Sequence, residues 1–515
     1  MLRRITIVTL VSIAATMSGL LREASLAGLF GTSSEADAAA TVVFLHDAIA
    51  AAFVTGGFSL AAVPLAARLR NDLGDHYASA LVRSSTLVVF GLAAIVALMA
   101  FPVIPWIVTD AANSSTSAYA TPIAILRGAL PGLVLFAASC NVAAFLPAFG
   151  EVTAPSLGRL LWNAGLVAGL FAASRLPIAA ALSVAVAVGA LANASVVMLA
   201  MRGTGLGTRS GPGHPLLGEL IRVAGPSLAV VAASALLLGI WERYLLASVG
   251  VGSIAVVNYA QRASYMASTM STAVHTVAFS VIALEQQGAG LTGKGTEAVR
   301  VVLRRYLLVV VPLAAFMLVA RHQIVAILFM RGAFDLTAAN RTAAAFAVYT
   351  FAIIPVFVMG MSLRILFTVG RPAIALSCLA AATIIAACAD WLLLPVINEI
   401  AIPAGYTVGM AVASLAALMA AERAIGGELL AETGRALVGG TLVAGSGAAL
   451  CLLLLQAWPA SLAGSSPALV TSLARLATAG FALLLGCFAA AWLLRIPELN
   501  EVARILRRVK ARTMP

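Results

Sequence analysis

Stretches of about twenty mainly apolar residues follow one another along almost the whole chain, and this pattern limits its fold more than any other feature. Of the 515 residues, 62% are hydrophobic and only 10% are charged, whereas a soluble domain has about 25% charged residues. A helix needs about 20 apolar residues to cross the hydrocarbon core of a bilayer. The sequence therefore predicts an all-α polytopic membrane protein and excludes a water-soluble globule.

By this length criterion we predict about fourteen transmembrane helices. Their starts lie near Ile5, Ala38, Ser84, Pro122, Leu157, Ile178, Leu217, Ser253, Val301, Thr342, Ala373, Ala401, Leu437 and Ala468. Within the second of these stretches, Gly56 and Gly57 mark a place where the helix can bend, and Pro355 with Gly360 marks another in the tenth.

Lys and Arg residues concentrate in alternate loops, which is typical of the cytoplasmic side of a membrane. The net charge of +12 is therefore explained by topology, and we predict no nucleic-acid partner. Both termini are predicted to be cytoplasmic. The basic, amphipathic tail at 495–515 is expected to lie along the anionic inner leaflet.

A weak internal repeat divides the chain. The segment that starts at Val82 resembles the one that starts at Val302, and an even number of helices between the copies gives both the same orientation. We predict an N-lobe at 1–210 with six helices and a C-lobe at 211–430 with six more. Two further helices follow at 431–494. Transporters of this plan hold substrate between their lobes.

Charged residues inside membrane spans are costly and are the default functional candidates. Arg22 in the first lobe and Arg262 early in the second stand out. The fork of donors on a guanidinium matches phosphate oxygens, so arginines in a water-filled cleft would suit a diphosphate head group. The alternative is internal pairing, in which Arg22 contacts Asp37 or Asp47.

Arg127 and Arg364 are secondary candidates for substrate binding, and Asp390 is a candidate for binding a coupling ion. No enzyme motif and no metal-ligand spacing is present in the sequence, so we predict a protein that is not an enzyme and has no cofactor. Active transport would then depend on a Na⁺ or H⁺ gradient or on the membrane potential.

Three segments resemble the MurJ (MviN) lipid II flippases of the MOP superfamily. The first is SGLLREASLAGLFGTSSEADAAATVVFLHDAIAAAFVTGGFSLAAVPLAARL near the N-terminus, the second is VNYAQRASYM, and the third is LFMRGAFDLTAANRTAAAFAVYTFAIIPVFVMGMSLRILFTVGRP. In the family pattern, a basic residue is usual on the second helix and another is common early in the first. This chain has Ala50 and Ala51 at the former place and Thr16, or a near neighbour, at the latter.

The resemblance implies two six-helix lobes, a cationic cavity, and a groove for the lipid tail formed by the helices at 431–494. It implies that Arg22, Asp37 and Arg262 belong to that cavity. The implied function is alternating-access transport of undecaprenyl-diphosphate-linked peptidoglycan precursor from the inner to the outer leaflet of the bacterial cytoplasmic (inner) membrane, for cell-wall biogenesis and cell shape. The partners are then an anionic lipid-linked saccharide, membrane lipids and cell-wall synthesis proteins. Alternatives are a flippase for another polyprenyl-linked glycan, such as an O-antigen or exopolysaccharide precursor, a MATE-like ion-coupled exporter, and a membrane scaffold without transport activity.

Overall fold

The computed structural model describes residues 2–55, 57–112, 115–116, 119–172, 175–204, 214–265, 293–456 and 468–493. In these residues the chain is helical almost throughout, and no strand occurs. Helices satisfy their own backbone hydrogen bonds, which the hydrocarbon core of a membrane requires. The predicted fold class, an all-α polytopic membrane protein, is confirmed. The predicted basic tail at 495–515 lies outside the described residues.

The helices in chain order have the following bounds. They are α1 (Leu2–Phe30), α2 (Ser34–Ala50), α3 (Gly57–Leu73), α4 (Asp75–Ala111), α5 (Ala120–Phe145), α6 (Ala154–Ala172), α7 (Ile178–Gly203), α8 (His214–Ala232), α9 (Leu238–Val249), α10 (253–265), α11 (Gly293–Val319), α12 (Arg321–Phe329), α13 (Leu336–Thr368), α14 (Pro372–Ile397), α15 (Ala401–Ile425), α16 (Leu429–Gln456) and α17 (Ala468–Leu493).

Each predicted span start lies within one of these helices. Within the described residues, ten stretches are long and apolar enough to cross a membrane, and one of them, Pro372–Ile425, contains both α14 and α15. The count of about fourteen spans stays a prediction. Large apolar side chains on α4 are strongly exposed, among them Leu98 and Trp106, as expected for a helix that faces lipid.

The two predicted bends differ. Near the first, α2 ends at Ala50, a π-helical turn covers Ala51–Thr55, and α3 begins at Gly57. A π turn inserts an extra residue into the helical ladder and is frequent at functional sites. At the second, α13 runs without interruption through Pro355.

The chain forms two compact units. The first comprises Met1–Arg262, Arg331–Ala338 and Ala387–Ile402, and the second comprises Ala263–Met330, Ala339–Ala386 and Pro403–Pro515. The first unit contains the whole predicted N-lobe and continues beyond residue 210. In the second unit, α16 packs against α11 and α17. The lobe boundaries and the lipid-tail groove stay predictions.

The first unit has a core in which helices α1, α2, α5, α6 and α7 meet. Buried side chains such as Leu26, Val42, Phe136, Trp162 and Val186 form it. Small residues allow the helices to approach closely. At Gly165 and Gly169 of α6, an added Cβ would press on the backbone of α7. This packing holds α6 firmly beside the polar residues of α1 and α2.

Candidate functional site

A cluster of charged and amide side chains is buried in the first unit. We call it the arginine cluster, and its members are Arg22, Glu23, Asp47, Asn163, Asn258 and Arg262. They come from α1, α2, α6 and α10. The cluster therefore joins residues that are far apart in the sequence.

Arg22 lies at the centre of the cluster and its side chain is only 1% exposed. Its Nη1 donates to Asn163 Oδ1 at 2.8 Å, and its Nη2 donates to Glu23 Oε1 at 2.8 Å and to Asp47 Oδ2 at 3.1 Å. A buried charge needs a paired and hydrogen-bonded environment, and these three acceptors provide it. The alternative predicted from the sequence, in which Arg22 pairs with Asp47, is confirmed. Asp37 instead accepts hydrogen bonds from the backbone at the start of α10.

Arg262, on α10, binds the same two carboxylates, those of Glu23 and Asp47. Its Nε lies 3.3 Å from Glu23 Oε1, and its Nη2 contacts Asp47 Oδ2. The two arginines that the sequence singled out are thus brought together. The side chains of Arg262 and Asp47 are 19% and 27% exposed, while Glu23 is fully buried. The accessible edge of the cluster is therefore the pair formed by Arg262 and Asp47.

The cluster contains two guanidinium groups and two carboxylates, so their formal charges cancel. Glu23 is held further by Asn258, whose Nδ2 donates to Oε2 at 3.0 Å. His46 Nδ1 lies within hydrogen-bond distance of the Asp47 carboxylate, 3.1 Å from Oδ1. The His46 ring is buried and stacks on Trp162 with 3.6 Å between ring centroids. In this conformation an incoming anion must compete with a carboxylate for the guanidinium donors.

Asp37 lies at the start of α2 and caps α10. Its two carboxylate oxygens accept the backbone N–H groups of Gly252 at 2.7 Å and Ala255 at 2.8 Å. The first N–H groups of a helix have no partner within the helix, and a carboxylate is a preferred cap. Since α10 carries Arg262, Asp37 fixes the helix that positions this arginine.

Arg127 and Arg364, the secondary candidates for substrate binding, each have contacts of their own. Arg127 donates from Nε to the carbonyl oxygen of Phe101 at 2.8 Å and lies over the Phe101 ring. Arg364 belongs to the second unit, where its Nη1 donates to the carbonyl oxygen of Gly360 at 2.9 Å. In the described residues Arg127 makes no hydrogen bond or ion pair with a member of the arginine cluster.

Asp390 is fully buried in α14, within the first unit. Neither of its carboxylate oxygens has a hydrogen-bond partner among the residues that the structure describes. A second buried carboxylate, that of Glu242 on α9, is close enough to act on it electrostatically. A buried acidic pair of this kind suits a proton or a small cation. In the described part of the chain, no group of three or more His, Cys, Asp or Glu residues has the geometry of a metal site.

Arg159 is a residue that the sequence reading missed. It lies on α6, one turn before Asn163, and faces a cavity within the first unit. Helix α6 begins at Ala154 because Glu151 Oε1 accepts the backbone N–H groups of Thr153 and Ala154 at 2.9 and 3.1 Å. Four-residue spacing on a helix places Arg159 and Asn163 on one face, and this was the signal that could have found it.

Comparison with known proteins agrees with this architecture. The family model described as "Lipid II flippase MurJ" matches residues 26–497. A curated lipid II flippase MurJ from Burkholderia cenocepacia is 24% identical over 257 residues, which cover 48% of this chain and 50% of that protein. The chain thus spans about half the length of this curated relative in the match.

Solved structures show the same fold. A lipid II flippase MurJ in an inward closed conformation has a TM-score of 0.75 at 15% identity, over 94% of this chain and 99% of that one. An inward-facing multidrug resistance MATE transporter of the MOP superfamily has a TM-score of 0.64 at 14% identity, over 83% and 99%. The family model covers most of the chain, and the protein belongs to the lipid II flippase MurJ family.

Proposed function

We propose that this protein moves lipid II, the undecaprenyl-diphosphate-linked peptidoglycan precursor, from the inner to the outer leaflet of the bacterial cytoplasmic membrane. One observation carries the proposal. Arg22 and Arg262 meet on the same two carboxylates inside a membrane protein of this family. Two guanidinium groups at one place match the two phosphates of the lipid.

The exposed edge of the cluster indicates how the substrate enters. The diphosphate displaces the Asp47 carboxylate from Arg262, the more accessible of the two arginines. Arg22 stays anchored to Asn163 and Glu23 and supplies the second donor group. Asp37 acts as a positioning residue through α10, and Arg127 and Arg364 serve as secondary contacts at other stages of transport.

Transport proceeds by alternating access, with both termini in the cytoplasm and the lipid tail held along α16 and α17. The buried carboxylate of Asp390 binds the coupling ion. No covalent chemistry is assigned to the protein. Its partners are the anionic lipid-linked saccharide, membrane lipids and cell-wall synthesis proteins.

Growth of cells depleted of their own lipid II flippase tests this proposal. The parent protein should restore growth, while Arg22→Ala and Arg262→Ala should not, at equal amounts of protein in the membrane. Arg175→Ala is the matched control, because Arg175 is exposed in the turn between α6 and α7. Rescue by both cluster variants would refute the role of the arginines.

A flippase for another polyprenyl-linked glycan is the second candidate. The groups assembled in the cluster recognise phosphates, which such lipids share, and they select no particular sugar. Failure of the parent to restore growth, combined with rescue of cells that lack an O-antigen or exopolysaccharide flippase, would favour this second function.

A further inference from the structure

A cavity of about 490 Å³ lies inside the first unit, beside the arginine cluster. We call it the α6 cavity. Its walls come from α2, the π-helical turn, α3, α5, α6 and α7, and they are mainly apolar, with Val54, Val63 and Phe136 among them. Its volume lies within the range of small-molecule pockets, about 300 to 1,000 Å³. The α6 cavity is thus large enough for a phosphate group and the first part of an apolar chain.

The Arg159 side chain supplies a charge in this mainly apolar space. No hydrogen bond or ion pair joins its guanidinium to any residue in the described part of the chain, and its Nε is buried without a partner. An unpaired charge in an apolar site is expensive. An anion that enters the α6 cavity would remove this cost and would gain charge-assisted hydrogen bonds.

The polar neighbours of Arg159 fit the same interpretation. Asn193 and Ser59 line the α6 cavity as well. Asn193 comes close to α6 because residue 158 is a glycine, and an added Cβ there would collide with Asn193 Oδ1. Asn193 Nδ2 donates to Ser139 Oγ at 2.6 Å, so the guanidinium of Arg159 is the main donor that this cavity offers to an anion.

The α6 cavity is connected to the arginine cluster through helix α6 and through Phe136. Arg159 precedes Asn163 by four residues, which is about 6 Å along the helix axis, and Asn163 binds Arg22. Phe136 lines the α6 cavity and also contacts the His46 ring, with 3.7 Å between ring centroids. Pro147 and Val152, from the connection between α5 and α6, also line the α6 cavity. That connection is cytoplasmic in the predicted topology.

We propose that the α6 cavity is a second anion site, in which Arg159 binds a phosphate group of the lipid-linked diphosphate before it reaches Arg22 and Arg262. The identity of the lipid rests on the proposed function. Binding of a phosphate group by Arg159 does not rest on the proposed function, since a soluble diphosphate offers the same oxygen atoms. In the predicted topology the α5–α6 connection that lines the cavity is cytoplasmic, which is the side from which a lipid made in the cytoplasm would come. The apolar walls of the cavity favour the lipid as the source.

Binding to purified protein in nanodiscs tests the proposal, with undecaprenyl diphosphate, undecaprenol and inorganic diphosphate as probes. Undecaprenyl diphosphate should bind the parent and Arg175→Ala equally, and should bind Arg159→Ala about tenfold more weakly or worse, the loss that corresponds to one charge-assisted hydrogen bond. Arg159→Lys should fall between, because an ammonium keeps the charge but lacks the fork of donors. Undecaprenol should bind all variants alike.

A second variant separates loss of the site from loss of the fold. Ala50 lines the same cavity, so Ala50→Arg in the Arg159→Ala background returns a guanidinium from another wall. This double variant should regain binding of undecaprenyl diphosphate. If it does not, and Arg159→Ala also unfolds at a lower temperature than the parent, the role of Arg159 is structural and the inference is overturned.

The remaining outcomes are distinct. Equal binding of undecaprenyl diphosphate by Arg159→Ala and the parent overturns the inference, as does a parent that binds neither diphosphate. Arg159-dependent binding that is as tight for inorganic diphosphate as for the lipid overturns the lipid assignment and leaves a site for soluble anions. The assay uses no cells, so failure of the proposed function, seen as a lack of growth rescue by the parent, is recorded separately.

Discussion

Asn163 on α6 accepts a hydrogen bond from Arg22 Nη1 on α1, with 2.8 Å between Oδ1 and Nη1. The same amide donates from Nδ2 to Ser18 Oγ at 3.0 Å and to the carbonyl oxygen of Ala15 at 3.3 Å. One buried side chain thus fixes both the backbone of α1 and the direction of the arginine. Arg22 is held in place by the protein before any substrate arrives.

Replacing Asn163 by Leu should lower the free energy of unfolding by about 1 to 3 kcal/mol, because a buried charged donor loses its acceptor. Asn163→Leu should also restore growth less well than the parent. Asn163→Asp keeps an acceptor oxygen for Arg22 and should retain more activity than Asn163→Leu. Thermal unfolding of the purified variants and the depletion assay measure the two effects. Equal stability of Asn163→Leu and the parent would contradict this account of Arg22.

Asp47→Asn should strengthen binding of undecaprenyl diphosphate. The carboxylate competes with phosphate for Arg262 Nη2, and its removal leaves the cluster with a net positive charge. A gain of about tenfold corresponds to about 1.4 kcal/mol, and it should shrink as salt screens the charges. Asp75→Asn is the control, because Asp75 forms an exposed ion pair with Arg70. Weaker binding by Asp47→Asn would show that Asp47 supports the site rather than closes it.

Asp37→Ala should remove the cap of α10, at a cost of about 1 kcal/mol in the free energy of unfolding. Because α10 carries Arg262, affinity for undecaprenyl diphosphate should fall as well. Asp37→Asn retains a good capping group and should restore most of both properties. If Asp37→Asn loses affinity as fully as Asp37→Ala while its stability is normal, the charge of Asp37 acts on the substrate directly.

Asp390→Asn should abolish the dependence of transport on the coupling ion without unfolding the protein. The carboxylate is fully buried and its oxygens lack hydrogen-bond partners in the described residues, so a neutral amide of the same shape removes the cost of burying a charge. Transport by reconstituted parent, Asp390→Asn and the exposed control Asp72→Asn should be compared across Na⁺ and H⁺ gradients. An unchanged gradient dependence in Asp390→Asn would rule out Asp390 as the coupling site.

Much of the architecture follows from the lengths of the apolar stretches alone. All the predicted span starts lie within helices, and the break between α2 and α3 lies beside the glycine pair that predicted it. Pro355 gave no break, because a proline inside a long apolar helix removes one hydrogen bond while neighbouring helices still hold the segment in place.

The contacts of the site could be predicted only in part. The cost of burying charge singled out Arg22 and Arg262, and it left open whether they face substrate or internal partners. The structure supplies partners that sequence distance hides, such as Asp47 for Arg262 and the α10 backbone for Asp37. Arg159 escaped notice because its importance depends on a cavity formed by other helices.

Direct transport in vesicles tests the central claim that Arg22 and Arg262 move the diphosphate head group across the membrane. Lipid II labelled on its sugar is reconstituted with the protein, and a membrane-impermeant quencher reports the label that reaches the outer surface. With the parent protein, label that starts in the inner leaflet should become accessible to the quencher much faster than in protein-free vesicles. With Arg262→Ala, the rate should equal that of protein-free vesicles. Transport by Arg262→Ala at the parental rate would contradict the account.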